Sequence, residues 1–182
     1  MDLFDDLNSS QQDFIRAQKV FFVASAPLSG EGRVNLSPKG LDSLAILSST
    51  RLAYIDLGGS GIETHAHMLE NGRLSMMFCA FENPPLILRV YGTGEAHPFG
   101  TEGFDALRPL FPAIEVPVRG IIELNLNLVQ ESCGWGVPLY DFKGQRDTLV
   151  KHNASRTQEF HTERRYDSNA KSLDGLPGLT RP

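Results

Sequence analysis

Only two cysteines occur in the sequence, Cys79 and Cys133, in unlike contexts and without a CxxC spacing. Neither a disulfide framework nor a thiolate metal centre is therefore predicted, and nothing in the sequence supplies Cys133 with a neighbouring base. No uninterrupted apolar run approaches the ~18 residues that a membrane-spanning helix requires. Basic residues are outnumbered, 17 Lys and Arg against 22 Asp and Glu for a net charge of −5, and no basic stripe offsets the deficit. That excludes a general attraction to nucleic acid, although a few local donors would still suffice for a small phosphorylated ligand. The opening MDLFDDLNSS is acidic and carries no charged-then-apolar leader, so the expected compartment is the cytoplasm. GxSxG, HExxH, Walker and post-strand GxGxxG motifs are absent, which removes the common hydrolase, metalloprotease and Rossmann readings. His65 and His67 lie two apart on a predicted helix and point in different directions, so no metal site is expected there.

What is present is an ordinary globular composition, 41% hydrophobic and 21% charged over 182 residues, enough for one well-packed domain. Residues 1–153 read as that domain, and residues 154–182 as a helix or loop and an extended tail belonging to it. An amphipathic helix opens the chain at Asn8 to Lys19, with Phe14, Ile15 and Val20 on one face after an Asn8/Ser9 cap. Strands are predicted at Val20 to Ala24, Arg33 to Leu36, Leu52 to Asp56, Leu74 to Phe81, Leu86 to Gly92 and Ile121 to Val129. In the last of these, Ile122, Leu124, Leu126 and Leu128 alternate with Glu123, Asn125 and Asn127, the period of a half-buried strand. Six such strands and one short helix between Gly59 and Asn71, closed by Gly72, predict a mostly β, six-stranded antiparallel barrel with peripheral helices.

Four stretches carry candidate chemistry. In YIDLGGSGIETHAHMLENGR, Tyr54 to Arg73, a strand runs through Gly58-Gly59-Ser60-Gly61 into a helix, so backbone N–H groups and the Ser60 and Thr64 hydroxyls can converge on a phosphate. The same turn could equally serve only to start the helix. In RVNLSPKG, strand alternation puts Asn35 and Ser37 on one side, and a turn at Pro38 presents Lys39, either to a phosphate or to solvent. Arg89 stands inside the apolar run LILRVYG and needs an anionic partner, a ligand or a structural carboxylate. Trp135, flanked by Gly134 and Gly136, has room to lie against a flat ligand, or to fill a core or interface.

Together these blocks resemble, in order and spacing, the FMN-binding split-barrel family that includes pyridoxamine 5'-phosphate oxidase. RVNLSPKG looks like the family's strand beside the flavin, ending in a phosphate-binding lysine, here Lys39. The Tyr54 to Arg73 block is similar to its strand, glycine-serine turn and helix, and RLSMMFCAFENPPLILRVYGTGEA resembles the hairpin that follows. SCGWGVPLYDF and SLDGLPGL look like segments of an oxidase-related subgroup. The resemblance implies a homodimer with FMN in the grooves between subunits and a small-molecule substrate. Asn35 and Ser37 would lie at the ring edge, with Lys39, Gly59, Ser60, Gly61 and Thr64 toward the phosphate. Trp135, Val137 and Pro138 would cover the ring from the partner subunit, and Arg89 would contact cofactor or an anionic substrate. The expected activity is an FMN-dependent oxidoreductase; the alternatives are a non-catalytic flavin, haem or deazaflavin binder on the same barrel, or a cofactor-free dimer. The turn lacks the family's Arg-Lys pair, and the chain ends in DGLPGLTRP where the true oxidases carry an Arg-Leu-His-Asp-Arg type motif, which argues against pyridoxamine 5'-phosphate itself as substrate.

Overall fold

The computed structural model describes residues 1–181, Gln158 by its backbone alone; Pro182, the last residue of the expected tail, lies outside the described residues. Asn8 caps the first helix, α1 (Ser9–Ala17), through a capping box: its side chain accepts from the Gln11 amide at 2.9 Å and the Gln11 side chain accepts from the Asn8 amide at 2.9 Å. That fixes the helix so that Gln11 and Ile15 are buried. The strands are β1 (Asp2–Phe4), β2 (Phe21–Ser25), β3 (Asn35–Lys39), β4 (Leu44–Ser48), β5 (Arg51–Leu57), β6 (Arg73–Cys79), β7 (Ile87–Pro98) and β8 (Val118–Ser132). Helix α2 (Glu63–Glu70) follows β5, α3 (Glu102–Leu107) follows β7, and α4 (Thr148–Ala154) and α5 (Gln158–Asp167) follow β8. No helix among the described residues is long and apolar enough to cross a membrane.

Each of the six predicted runs overlaps a strand, although Arg33 and Val34 lie ahead of β3, and every pairing is antiparallel, in the order β3-β2-β6-β7-β8-β5-β4 with β1 added to β8. β3 and β4 end this order without pairing to each other, so the sheet curls into a split rather than a closed barrel. The short strands β1 and β4 extend the predicted set. β3 also runs further than its sequence pattern suggests: Pro38 lies within the strand, opposite Phe22, instead of forming a turn. An edge strand tolerates a proline because the missing N–H faces no neighbour.

Alternation divides the apolar residues between two cores. Leu52 and Tyr54 of β5 join Val23, Met76, Phe78, Leu88, Val90, Ile122 and Leu124 inside the barrel. Ala53 and Ile55 face the other way, onto Phe104 and Leu107 of α3 with Phe111 and Ile121. β5 is thus covered on both faces, which is why its sequence is continuously apolar rather than alternating. Gly72, at φ +68°, ends α2 as its spacing predicts, its amide donating to the His67 carbonyl at 3.0 Å. Gly92 sits at the register shift between β7 and β8, where a Cβ would run into the Asn125 carbonyl.

Phe78 is fully buried and stacks on Phe21 with ring centroids 5.8 Å apart. Phe78→Ala is expected to lower unfolding free energy by about 3–5 kcal/mol in urea denaturation, the loss typical of a large aromatic cavity.

Candidate functional site

Alternation along β5 carries Leu52, Tyr54 and then Asp56 toward the barrel interior, so the strand delivers a carboxylate that is only 4% exposed. An ionised group so placed requires a partner. Arg119 supplies it from the register shift where β8 passes Asp56 and Leu57. Its Nε donates to Asp56 Oδ2 at 3.1 Å and its Nη2 to Oδ1 at 3.0 Å, the two-pronged geometry that makes guanidinium-carboxylate pairs strong. Arg119 Nη1 donates to Asn169 Oδ1 at 2.7 Å and to the carbonyl of Gly61, with the Gly59 carbonyl at 3.5 Å. At Gly59 and Gly61 the carbonyls turn toward the Arg119 guanidinium.

Lys39 reaches the same carboxylate less closely, with Nζ 3.9 Å from Asp56 Oδ1 and 5.6 Å from the centre of the Tyr54 ring. Two cations therefore share one anion. Burial pushes the Lys39 ammonium below its ordinary 10.5, Asp56 resists that shift and Arg119 adds to it. The Tyr54 hydroxyl is buried, with the Thr64 side chain beside it. Burial first, and then Asp56, raise it well above its ordinary 10.0.

Beside this cluster runs a chain of neutral polar contacts. Asn35 Nδ2 donates to Thr64 Oγ1 at 2.8 Å and lies 3.4 Å from Ser25 Oγ, which is 2.9 Å from His67 Nδ1. Ser37 stands between Asn35 and Lys39 on the same face of β3, opposite Val23. Ser60 is exposed at the tip of the turn. Asn35 thus meets Thr64 at the start of α2, while Ser37 and Lys39 continue along the same face of β3.

Arg89 is not among them. Its cross-strand row runs through Met77 and Phe22 to Pro38, the opposite face of the sheet from Lys39. Arg89 Nη1 donates to Ser132 Oγ at 3.0 Å, and no carboxylate among the described residues pairs with it; the ion-pair alternative is not realised. Gly134 packs on the backbone of Leu86, so the loop after β8 starts beside this second face. There Trp135 is 83% exposed, Val137 half-buried and Pro138 exposed. One chain therefore carries two separate groups of candidate residues.

Sequence reasoning missed Asp56, Arg119 and Asn169. Asp56 within YIDL and Arg119 beside GII are charges in apolar strands, the same signal that marked Arg89, and two such charges of opposite sign imply a pair. The C-terminal segment packs on its own chain. The Leu173 amide donates to Glu63 Oε1 at 3.1 Å, the Arg33 amide to Asp174 Oδ2 at 2.6 Å, and Leu179 is 4% exposed.

Arg119→Met, which leaves Asp56 with Lys39 alone, is expected to cost about 3–5 kcal/mol in chemical denaturation. Arg33→Ala, which removes a surface ion pair to Asp174, is expected to cost less than about 1 kcal/mol. Burial also pushes His65 and His67 below their ordinary 6.5; Asp56 opposes this at His65, and Glu70, Glu63 and Asp174 oppose it at His67. Below pH 6.5 the unfolded chain takes up protons that the folded chain refuses, so stability falls with acid. His67→Gln is expected to flatten that fall when denaturation is repeated at stepped pH.

A scan against family models finds no match. The chain is 36% identical over 192 aligned residues to the pyridoxamine 5'-phosphate oxidase family protein ustO of Aspergillus flavus, covering 97% of this chain and 77% of that protein. Among solved structures it resembles a Lactobacillus delbrueckii protein provisionally described as a pyridoxamine 5'-phosphate oxidase, with TM-score 0.53 and 19% identity over 70% of this chain and 95% of that one. It also resembles HupZ of Group A Streptococcus, with TM-score 0.51 and 17% identity over 74% and 99%. An FMN-binding protein from Syntrophomonas wolfei matches with TM-score 0.50 and 14% identity over 65% and 80%. The structures share the fold, and the extent and identity of the Aspergillus match show that this chain belongs to the pyridoxamine 5'-phosphate oxidase family.

Proposed function

We propose that the chain is an FMN-dependent oxidoreductase acting on a small molecule, as a cytoplasmic homodimer with FMN held where two barrels meet. The observation that carries the reading is the surplus positive charge at Lys39, where one buried carboxylate is shared by two cations and the lysine side chain remains 22% exposed. A phosphate monoester supplies the missing negative charge. Family membership and the FMN-binding Syntrophomonas protein of the same fold support a flavin in particular.

The division of candidate residues between two faces supports the dimer. Lys39, with the Ser60 hydroxyl and the Thr64 end of the turn, would hold the phosphate. The Gly59 and Gly61 carbonyls are engaged by Arg119, and the amides of the turn would face the phosphate. Asn35 and Ser37 would border the ring. A second copy would bring its Trp135, Val137 and Pro138 over the ring, and Arg89 to the cofactor or to an anionic substrate. The bound flavin supplies hydride and electron transfer, while the chain binds it, orients it and excludes water. No side chain is assigned as acid or base.

Titration of FMN into the purified protein, followed by quenching of flavin fluorescence, is expected to saturate at one flavin per chain. Lys39→Glu is expected to weaken binding at least about tenfold, as is replacing FMN by riboflavin, since a charge-assisted hydrogen bond contributes about 1.5–3 kcal/mol. Absence of quenching, or an affinity indifferent to Lys39, would overturn the reading. Reoxidation assays with NAD(P)H separate an enzyme from a flavin carrier.

A further inference from the structure

We propose that the C-terminal hairpin is a clasp that sets the glycine turn and so, on the reading that this turn faces the flavin phosphate, decides how tightly that phosphate is held. Residues 169–179 fold back on themselves after α5. The Gly178 amide donates to the Ala170 carbonyl at 2.9 Å and the Leu179 amide to the Asn169 carbonyl at 2.8 Å, with Lys171 bridged to Pro177. The base of this hairpin is buried. Asn169 is 1% exposed; its Oδ1 accepts from Arg119 Nη1 at 2.7 Å, and its Nδ2 donates to the Arg164 and Arg165 carbonyls near the end of α5. The same Arg119 nitrogen holds the Gly61 carbonyl, so the hairpin reaches the turn through one guanidinium. Gly178 closes against the residue that leads into α2: a Cβ there would run into the Asn169 carbonyl and crowd the Ile62 side chain.

The tip of the hairpin reaches α2 and the approach to β3. The Leu173 amide donates to Oε1 of Glu63, the first residue of α2, at 3.1 Å, and Asp174 accepts from both the amide and the guanidinium of Arg33. Glu63 and Arg33 flank the contact between Thr64 and Asn35, so base and tip together brace the turn and the start of the helix. These tip contacts are exposed and individually weak. Ile62 and Leu179 are buried but belong to neither hydrophobic core. A unit held in this way opens at lower free energy than the barrel unfolds. A ligand held by the turn amides favours the closed hairpin, and the closed hairpin favours that ligand by the same factor. Asn169 is thus a positioning residue, acting through Arg119 and touching no ligand itself.

Hydrogen exchange of the full chain without flavin, read by mass spectrometry, tests the clasp. Gly178→Val, which drives a side chain into the Asn169 carbonyl and Ile62, is expected to speed exchange about tenfold in residues 33–37 and 57–66, while peptides from β6, β7 and β8 keep their protection. Flavin titration reads the consequence. The same variant is expected to weaken FMN binding about tenfold and to leave riboflavin, which has no phosphate, within about twofold. Bound FMN, and not riboflavin, is expected to slow exchange of the Gly178 and Leu179 amides. Where Gly178→Val does not fold, Glu63→Ala combined with Asp174→Ala, which alters only the exposed tip, is expected to move the exchange and the ratio of FMN to riboflavin affinity in the same direction. Hairpin amides that stay protected in both variants, exchange in residues 57–66 that is unchanged once the hairpin opens, or equal losses of FMN and riboflavin affinity would overturn the proposal. Failure of the wild-type chain to bind FMN would strike the flavin reading alone, since exchange in the flavin-free chain still decides the clasp.

Discussion

The Asp56–Arg119 pair is the interaction on which the candidate site of this molecule depends. A carboxylate delivered into the barrel by strand alternation would be intolerable alone, and Arg119 matches it prong for prong. The remaining nitrogen of the same guanidinium reaches the Gly61 carbonyl and Asn169. One side chain therefore ties together the end of β5, the glycine turn that follows it, and the segment after α5. The arrangement also leaves Lys39 with only a share of a carboxylate, so the charge available to a ligand follows from how the structural pair is made.

Much of the fold is legible in the sequence because the barrel strands write their burial as a period of two. β8 is read directly from its alternation, and β2 and β5 from continuous apolar runs, which in β5 two cores explain. β1, three residues long, is too short to show a period. β4 is half-buried along Leu44 to Leu47 and shows no alternation. Pro38 reads as a turn because proline lacks a donor, yet the edge of a split barrel does not ask for one. In each case the missing information is where the strand lies in the sheet.

The site divides along the same line. Asn35, Ser37 and Lys39 come together because alternation is local, and Thr64 because the turn feeds a helix directly. Asp56 and Arg119 lie 63 residues apart, and only the register of β5 on β8 makes them neighbours. Nor can a glycine-rich stretch declare whether its amides or its carbonyls face inward; here a guanidinium decides for the carbonyls at Gly59 and Gly61. Arg89 illustrates the reverse, a charge correctly singled out in an apolar strand whose register places it on the opposite face of the sheet from Lys39.

Two half-sites on opposite faces of one sheet make sense if they complete each other between copies, with the phosphate at Lys39 of one chain and the ring covered by Trp135 of its partner. Native mass spectrometry of the protein, purified and supplied with FMN, tests this most directly. The account predicts an assembly of two chains carrying two FMN molecules. A flavin-bearing single chain, or a dimer that retains no flavin, would contradict it.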